Sequence, residues 1–250
     1  MPCRASLVAA LAIVTACAAS PVEWRTTEVV RGSEAAAAPA WPFAALPERA
    51  GARPCEELAR SVVRVDTPVA FMTWWAVRPD GGALLLAARS DDRGATWGAP
   101  VPVDTLDRGG RGCARPAPSI AYDPAGGYVH VVYFLDAPEG PGLFFSHSMD
   151  HGRSFHSPVA IVYGERPVEA SVAADHDTVA VAYVDPNSAR GRVLLALSRT
   201  AGHIFEEKAV PVSGSDGDGA APAVALRGRT VSVSWREGAG VVRREGVLRN

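Results

Sequence analysis

Short apolar runs, broken by glycine, proline and aspartate turns, fill the chain from about residue 60 onward. Strand-type alternation is plain in Val129-His130-Val131-Val132-Tyr133 and in Val231-Ser232-Val233-Ser234-Trp235. The runs fall into groups. Ser61 to Val65 and Val69 to Val77 precede Ala83 to Ala88, and Ser119 to Tyr122 and Tyr128 to Phe134 precede Gly142 to Phe145. Ala170 to Ala173 and Thr178 to Val184 precede Val193 to Leu197. A last group holds Ala223 to Leu226, Thr230 to Trp235 and Gly240 to Arg244. This pattern predicts an all-β fold of about four four-stranded units, the last one incomplete. An isolated run, Glu23 to Val30, also has strand character.

Each of the first three groups ends in the same motif. Ser90-Asp91-Asp92-Arg93-Gly94-Ala95-Thr96-Trp97 and Ser148-Met149-Asp150-His151-Gly152-Arg153-Ser154-Phe155 fit S-x-D-x-G-x-[ST]-[WF]. Ser198 to Phe205 is a degraded copy in which Thr200 replaces the aspartate and Ile204 the hydroxyl residue. The spacings are 58 and 50 residues. The chemistry is that of a hairpin lock. Asp92 and Asp150 accept hydrogen bonds from their own turn. Gly94 and Gly152 take positive φ. Trp97 and Phe155 bury apolar area beneath the turn. These residues specify structure rather than catalysis.

The motif resembles the Asp box, or BNR repeat, of sialidases and related β-propellers, and the resemblance covers about residues 56 to 240. It implies a propeller of about four blades, whereas the family usually has six. Three explanations are open: the Glu23 to Val30 strand closes the last blade, two chains combine, or one edge stays open. The resemblance also places the Asp-box turns on one face and any ligand site on the other, among the loops that lead into each first strand and follow each second strand.

Those loops hold the candidate binding residues. Arg53, Arg115 and Arg166 each precede a proline at the start of a unit, and the resemblance implies a set of arginines suited to a carboxylate. A strand-start signature shared by descent explains the same pairs. Asp136, Asp185 and Glu237 follow Tyr133, Tyr183 and Trp235 and offer carboxylates for acid or base work or for sugar hydroxyls. Ordinary solvated turn acids are the alternative. No Arg-Ile-Pro segment and no Tyr-Glu pair is found, so the catalytic residues stay unassigned. Cys55 and Cys113 are either two buried thiols or a disulfide; the register sets them in neighbouring lead-in loops and favours the disulfide.

Composition narrows the partners. The net charge of −2 leaves no footprint for nucleic acid. Gly 24 and Pro 20 exceed the combined average of about 12%, as many turns require. No nucleotide, phosphate or metal motif is present, so neither a cofactor nor a metal is expected. Asp216-Gly217-Asp218-Gly219 lacks the ligand spacing of a calcium loop. Residues 1–17 read as an export signal too short to span a bilayer. Val14-Thr15-Ala16-Cys17 resembles a bacterial lipobox, in which Cys17 is lipidated; an ordinary cleaved signal is the alternative. Residues 18–52 read as a tether, with the possible closing strand, and 53–250 as the propeller. The expected protein is exported and membrane-anchored. It binds glycans or protein partners; an exo-sialidase-type hydrolase and a purely structural platform are the alternatives.

Overall fold

The computed structural model describes residues 20–30, 46–47, 49, 51–63, 66–214 and 217–249. The export segment, Cys17 and Asp216 lie outside them. Strands β1 (Val22–Trp24) and β2 (Glu28–Val30) come first, then β3 (Arg53–Pro54). The first blade continues with β4 (Arg60–Val63), β5 (Ala70–Val77), β6 (Ala83–Ser90) and β7 (Val101–Asp104). The second holds β8 (Ser119–Asp123), β9 (Tyr128–Ala137), β10 (Gly140–Ser148) and β11 (Val159–Tyr163). The third holds β12 (Ala170–Asp175), β13 (Thr178–Val184), β14 (Val193–Ser198) and β15 (Val210–Pro211). The fourth holds β16 (Gly219–Arg227), β17 (Thr230–Glu237) and β18 (Gly240–Leu248).

Every blade is an antiparallel meander, as the pattern of runs predicts. The fourth is completed by the N-terminus. β1 and β2 both pair with the outer edge of β18, in the registers Val22↔Leu248 and Val30↔Val241. Of the three explanations for the short last blade, N-terminal closure is the one the strand order displays. It caps what would otherwise be a row of unpaired backbone groups.

The core is a stack of sheet-to-sheet contacts. Trp75, Leu85, Val131 and Tyr133 pack between the first two blades. Phe145, Val172, Val181 and Tyr183 pack between the second and third, and Leu195, Val231, Val233 and Trp235 between the third and fourth. The far face of the first blade is covered by Leu46 and Ala59. Inner strands are stitched across blades: Ser119 Oγ accepts from Val172 N (3.1 Å) and Ser171 Oγ from Val224 N (3.0 Å).

The repeat turns connect the third and fourth strands of the first three blades. In the first, the Asp92 carboxylate accepts from Thr96 N (2.8 Å), Thr96 Oγ1 (2.6 Å) and Ser90 Oγ (2.7 Å). The second reproduces this set around Asp150, with Ser154 and Ser148. Thr96, then Ser90, holds the Asp92 carboxyl down at about 2. Partial burial pushes Asp150 up, but Ser154 and Ser148 outweigh it and the result is also about 2. In the third turn Thr200 Oγ1 takes over, accepting from Ile204 N at 2.9 Å. The glycines are forced twice over. Gly152 and Gly202 have φ of 79° and 88°. A Cβ on Gly152 would come within 2.6 Å of the Phe71 ring, and one on Gly202 within 2.5 Å of Phe145. Each of these turns is thus seated on an aromatic ring of the preceding blade.

Cys55 and Cys113 form a disulfide between the first two blades, 58 residues apart in sequence. Closing a loop of that length removes chain entropy from the unfolded state worth about 4 kcal/mol. The expected result of Cys55→Ser/Cys113→Ser is a midpoint of thermal unfolding lowered by roughly 8–16 °C, read by calorimetry. An unchanged midpoint would show that the bridge adds nothing.

Candidate functional site

The four inner strands begin around one axis, on the face opposite the repeat turns. There they line a cavity of ≈ 370 Å³. Its wall combines Arg60 and Ser61 of the first blade, Ser119 of the second, Glu169 and Ser171 at the start of the third, and Ala221-Pro222 of the fourth. One cation, one carboxylate and several hydroxyls therefore share an apolar frame, the usual make-up of a small polar ligand site.

Arg60 owes its place to the ladder. Across the first blade it lies on the rung Arg60–Thr73–Ala87, three residues before the turn serine Ser90. The same rung is Ser119–Val132–Phe145 in the second blade and Ser171–Ala182–Leu195 in the third. An arginine thus stands where its neighbours carry serine. Its side chain donates to the carbonyls of Ala59 (2.8 Å) and Glu57 (3.2 Å), and no carboxylate is paired with it among the described residues. Glu169 accepts from Ala221 N at 2.8 Å, which fixes the carboxylate across the seam between the third and fourth blades. Ala221 sits at φ 47°, so this bulge near the start of β16 is held in a conformation that most residues avoid.

The sequence-derived candidates occupy different settings. Arg115 is in the interior. Its side chain is 1% exposed and forms a fork with Asp107 (2.8 and 3.2 Å), itself 0% exposed. The guanidinium also lies 4.4 Å from the Trp75 ring centroid, and Nε donates to Gly112 O. This arginine is consumed by the fold. Arg166 donates to Asp185 O (2.6 Å) and bridges its blade's own loops. Arg53 pairs through its backbone with Val77 and is exposed. None of the three lines the axial cavity.

The acids divide likewise. Asp136 is paired with Arg111 (2.5 Å) and closes over Gly109, where a Cβ would meet its Oδ2 at 2.0 Å. Asp185 caps its turn by accepting from Asn187 N. Glu237 accepts from the indole of Trp235 at 3.1 Å. Tyr133 is bonded to an acid after all, donating to Asp104 Oδ2 at 2.7 Å. Both are buried, at 1% and 4% exposure. Burial, and then the neighbouring carboxylate, push the phenol well above 10, so it stays protonated. A phenol sealed between two blades cannot reach a substrate.

A second polar cluster lies at the repeat-turn end, between the second and third blades. The His147 ring stands 4.8 Å from that of His156 and 4.6 Å from that of His203, with the fully buried His130 behind. Both His130 nitrogens and His147 Nε2 have no hydrogen-bond partner among the described residues. No three His, Cys, Asp or Glu side chains among the described residues are arranged to hold a metal ion.

No family model and no curated protein matches the sequence. Solved structures match the fold. A protein of unknown function from Dyadobacter fermentans DSM 18053 superposes with a TM-score of 0.51 at 18% identity, over 72% of this chain and 50% of its own. The Hadza microbial sialidase Hz136 gives 0.52 at 15% identity, over 77% and 44%. Trypanosoma rangeli sialidase, in complex with the inhibitor DANA, gives 0.52 at 12%, over 71% and 29%. The chain thus has a sialidase-like β-propeller fold and spans half or less of the length of these structures.

Proposed function

We propose that this chain is an exported, lipid-anchored propeller that binds glycans at its axial cavity without hydrolysing them, and that its repeat turns are Asp boxes. The observation that carries the reading is the cavity wall itself. Arg60, Glu169 and the serine hydroxyls line it with hydrogen-bond donors and acceptors of the kind that sugar hydroxyls need, and Pro118, Ile120 and Pro222 supply apolar faces. Hydrolysis is disfavoured by the setting of Tyr133, whose acid-paired phenol has no access to a ligand. Export and the anchor rest on the lipobox resemblance at Cys17.

The test is a pair of single substitutions at the wall. Arg60→Ala and Glu169→Gln are each expected to weaken glycan binding by about tenfold or more, or about 1.4 kcal/mol, in titration calorimetry. Arg60 is exposed, so its loss should leave the unfolding free energy within about 0.5 kcal/mol. Unchanged affinity in both variants removes the cavity from the account.

A further inference from the structure

The register of β1 fixes which side of the propeller a membrane anchor must approach. β1 runs antiparallel to β18, so its first residue, Val22, lies opposite Leu248, the last residue of the third strand of the fourth blade. In the other three blades that end of the third strand leads into a repeat turn. Pro21 is held at the same end, its carbonyl accepting from Arg249 N at 2.9 Å. The neighbouring repeat turn is tied to it, Arg199 of the third blade donating to Arg249 O at 2.6 Å. The chain therefore enters the fold on the repeat-turn face, away from the axial cavity.

Cys17 stands four residues before Pro21. Fully extended, four residues span at most about 14 Å. The eight-residue strand β17 separates the two ends of the blade by roughly 26 Å. A lipid on Cys17 thus reaches the repeat-turn end of the fourth blade and falls short of its cavity end.

From this we propose that the bilayer is the partner of the repeat-turn face, which lies against the lipid headgroups while the axial cavity opens away from the membrane. The inference rests on the lipid-anchor reading. Two side chains fit the contact: Ile204 at the tip of the third repeat turn is 71% exposed, and Met149 on the second is 45% exposed. On this side Arg199–Glu206 and Arg249–Glu23 are ion-paired, whereas Arg93 and Arg153 in the first two repeat turns are exposed and can face anionic headgroups, adding to the apolar tips and the anchor.

The experiment uses the full chain, processed and reconstituted in phosphatidylcholine/phosphatidylglycerol vesicles containing headgroup spin-labelled lipid. A fluorophore is placed on Thr230→Cys or on Ala239→Cys, exposed positions at opposite ends of the fourth blade. Cys55 and Cys113 stay locked in their disulfide. Quenching at position 230 is expected to exceed that at 239 at least threefold. Equal quenching, or stronger quenching at 239, overturns the seating. Palmitate incorporation is followed in the same preparation. Its absence overturns the anchor and the seating together, whereas its presence with reversed quenching overturns the seating alone.

Discussion

Arg115→Ala is expected to lower the unfolding free energy by about 3–5 kcal/mol, the cost of leaving one member of a buried ion pair alone. The partner left behind is Asp107, whose side chain is 0% exposed. Its Oδ2 also accepts from Asp136 N at 3.3 Å, so the stranded charge disturbs the loop that carries Asp136 and Arg111. The loss includes the stacking of the guanidinium on Trp75. Removing both charges with Arg115→Met/Asp107→Leu should cost less than either single change, because no uncompensated ion remains. Urea unfolding of the three variants measures this directly. If Arg115→Ala retains full stability yet loses ligand, the residue belongs to a binding site and the structural role assigned to it is wrong.

Mild acid should destabilise the protein through two histidines. Burial, then the charges of His147 and His203, hold His130 down to about 3. Burial, then His203 and His156, hold His147 down to about 4. In the unfolded chain both titrate near 6.5. Above that pH neither state binds the protons, and stability does not depend on them. Below it the unfolded chain takes up protons that the folded protein refuses. Stability then falls by about 1.36 kcal/mol per pH unit for each imidazole, down to about pH 4 for His147 and about pH 3 for His130. The expected loss between pH 6.5 and 4 is on the order of 3 kcal/mol per histidine. Asp104 and His176 act in the opposite sense, burial raising the carboxyl and the Asp175 hydrogen bond raising the imidazole, but His176 is exposed to solvent, which weakens its effect. A His130→Phe/His147→Phe variant should show a much flatter profile. An equally steep profile in that variant would assign the acid sensitivity elsewhere.

The fold was largely legible in the chain because its determinants are local. Apolar alternation marks the strands. Asp92 and Asp150 bond only within their own turns, so an eight-residue motif suffices to announce them. The closing strand was legible from β-character near Val29-Val30, though its pairing with β18 spans more than 200 residues and no local signal names the partner. The settings of the candidate site residues were less legible, for a physical reason. Arg115 belongs to an Arg-Pro pair shared by successive units, which marks it locally. Its fate is decided by Asp107, eight residues upstream in a loop with no counterpart in the pattern. Arg60 escaped notice because it is not repeated: it occupies a rung that carries serine in the next two blades.

The axial cavity is proposed to hold a glycan and return it unchanged. It is tested by passing a mixture of sialylated and neutral glycans over the immobilised protein and analysing bound and released material by mass spectrometry. Intact glycans are expected to be retained by the wild type and lost from Arg60→Ala, with no free monosaccharide released by either. Release of free sialic acid by the wild type, or retention undiminished in Arg60→Ala, would contradict it.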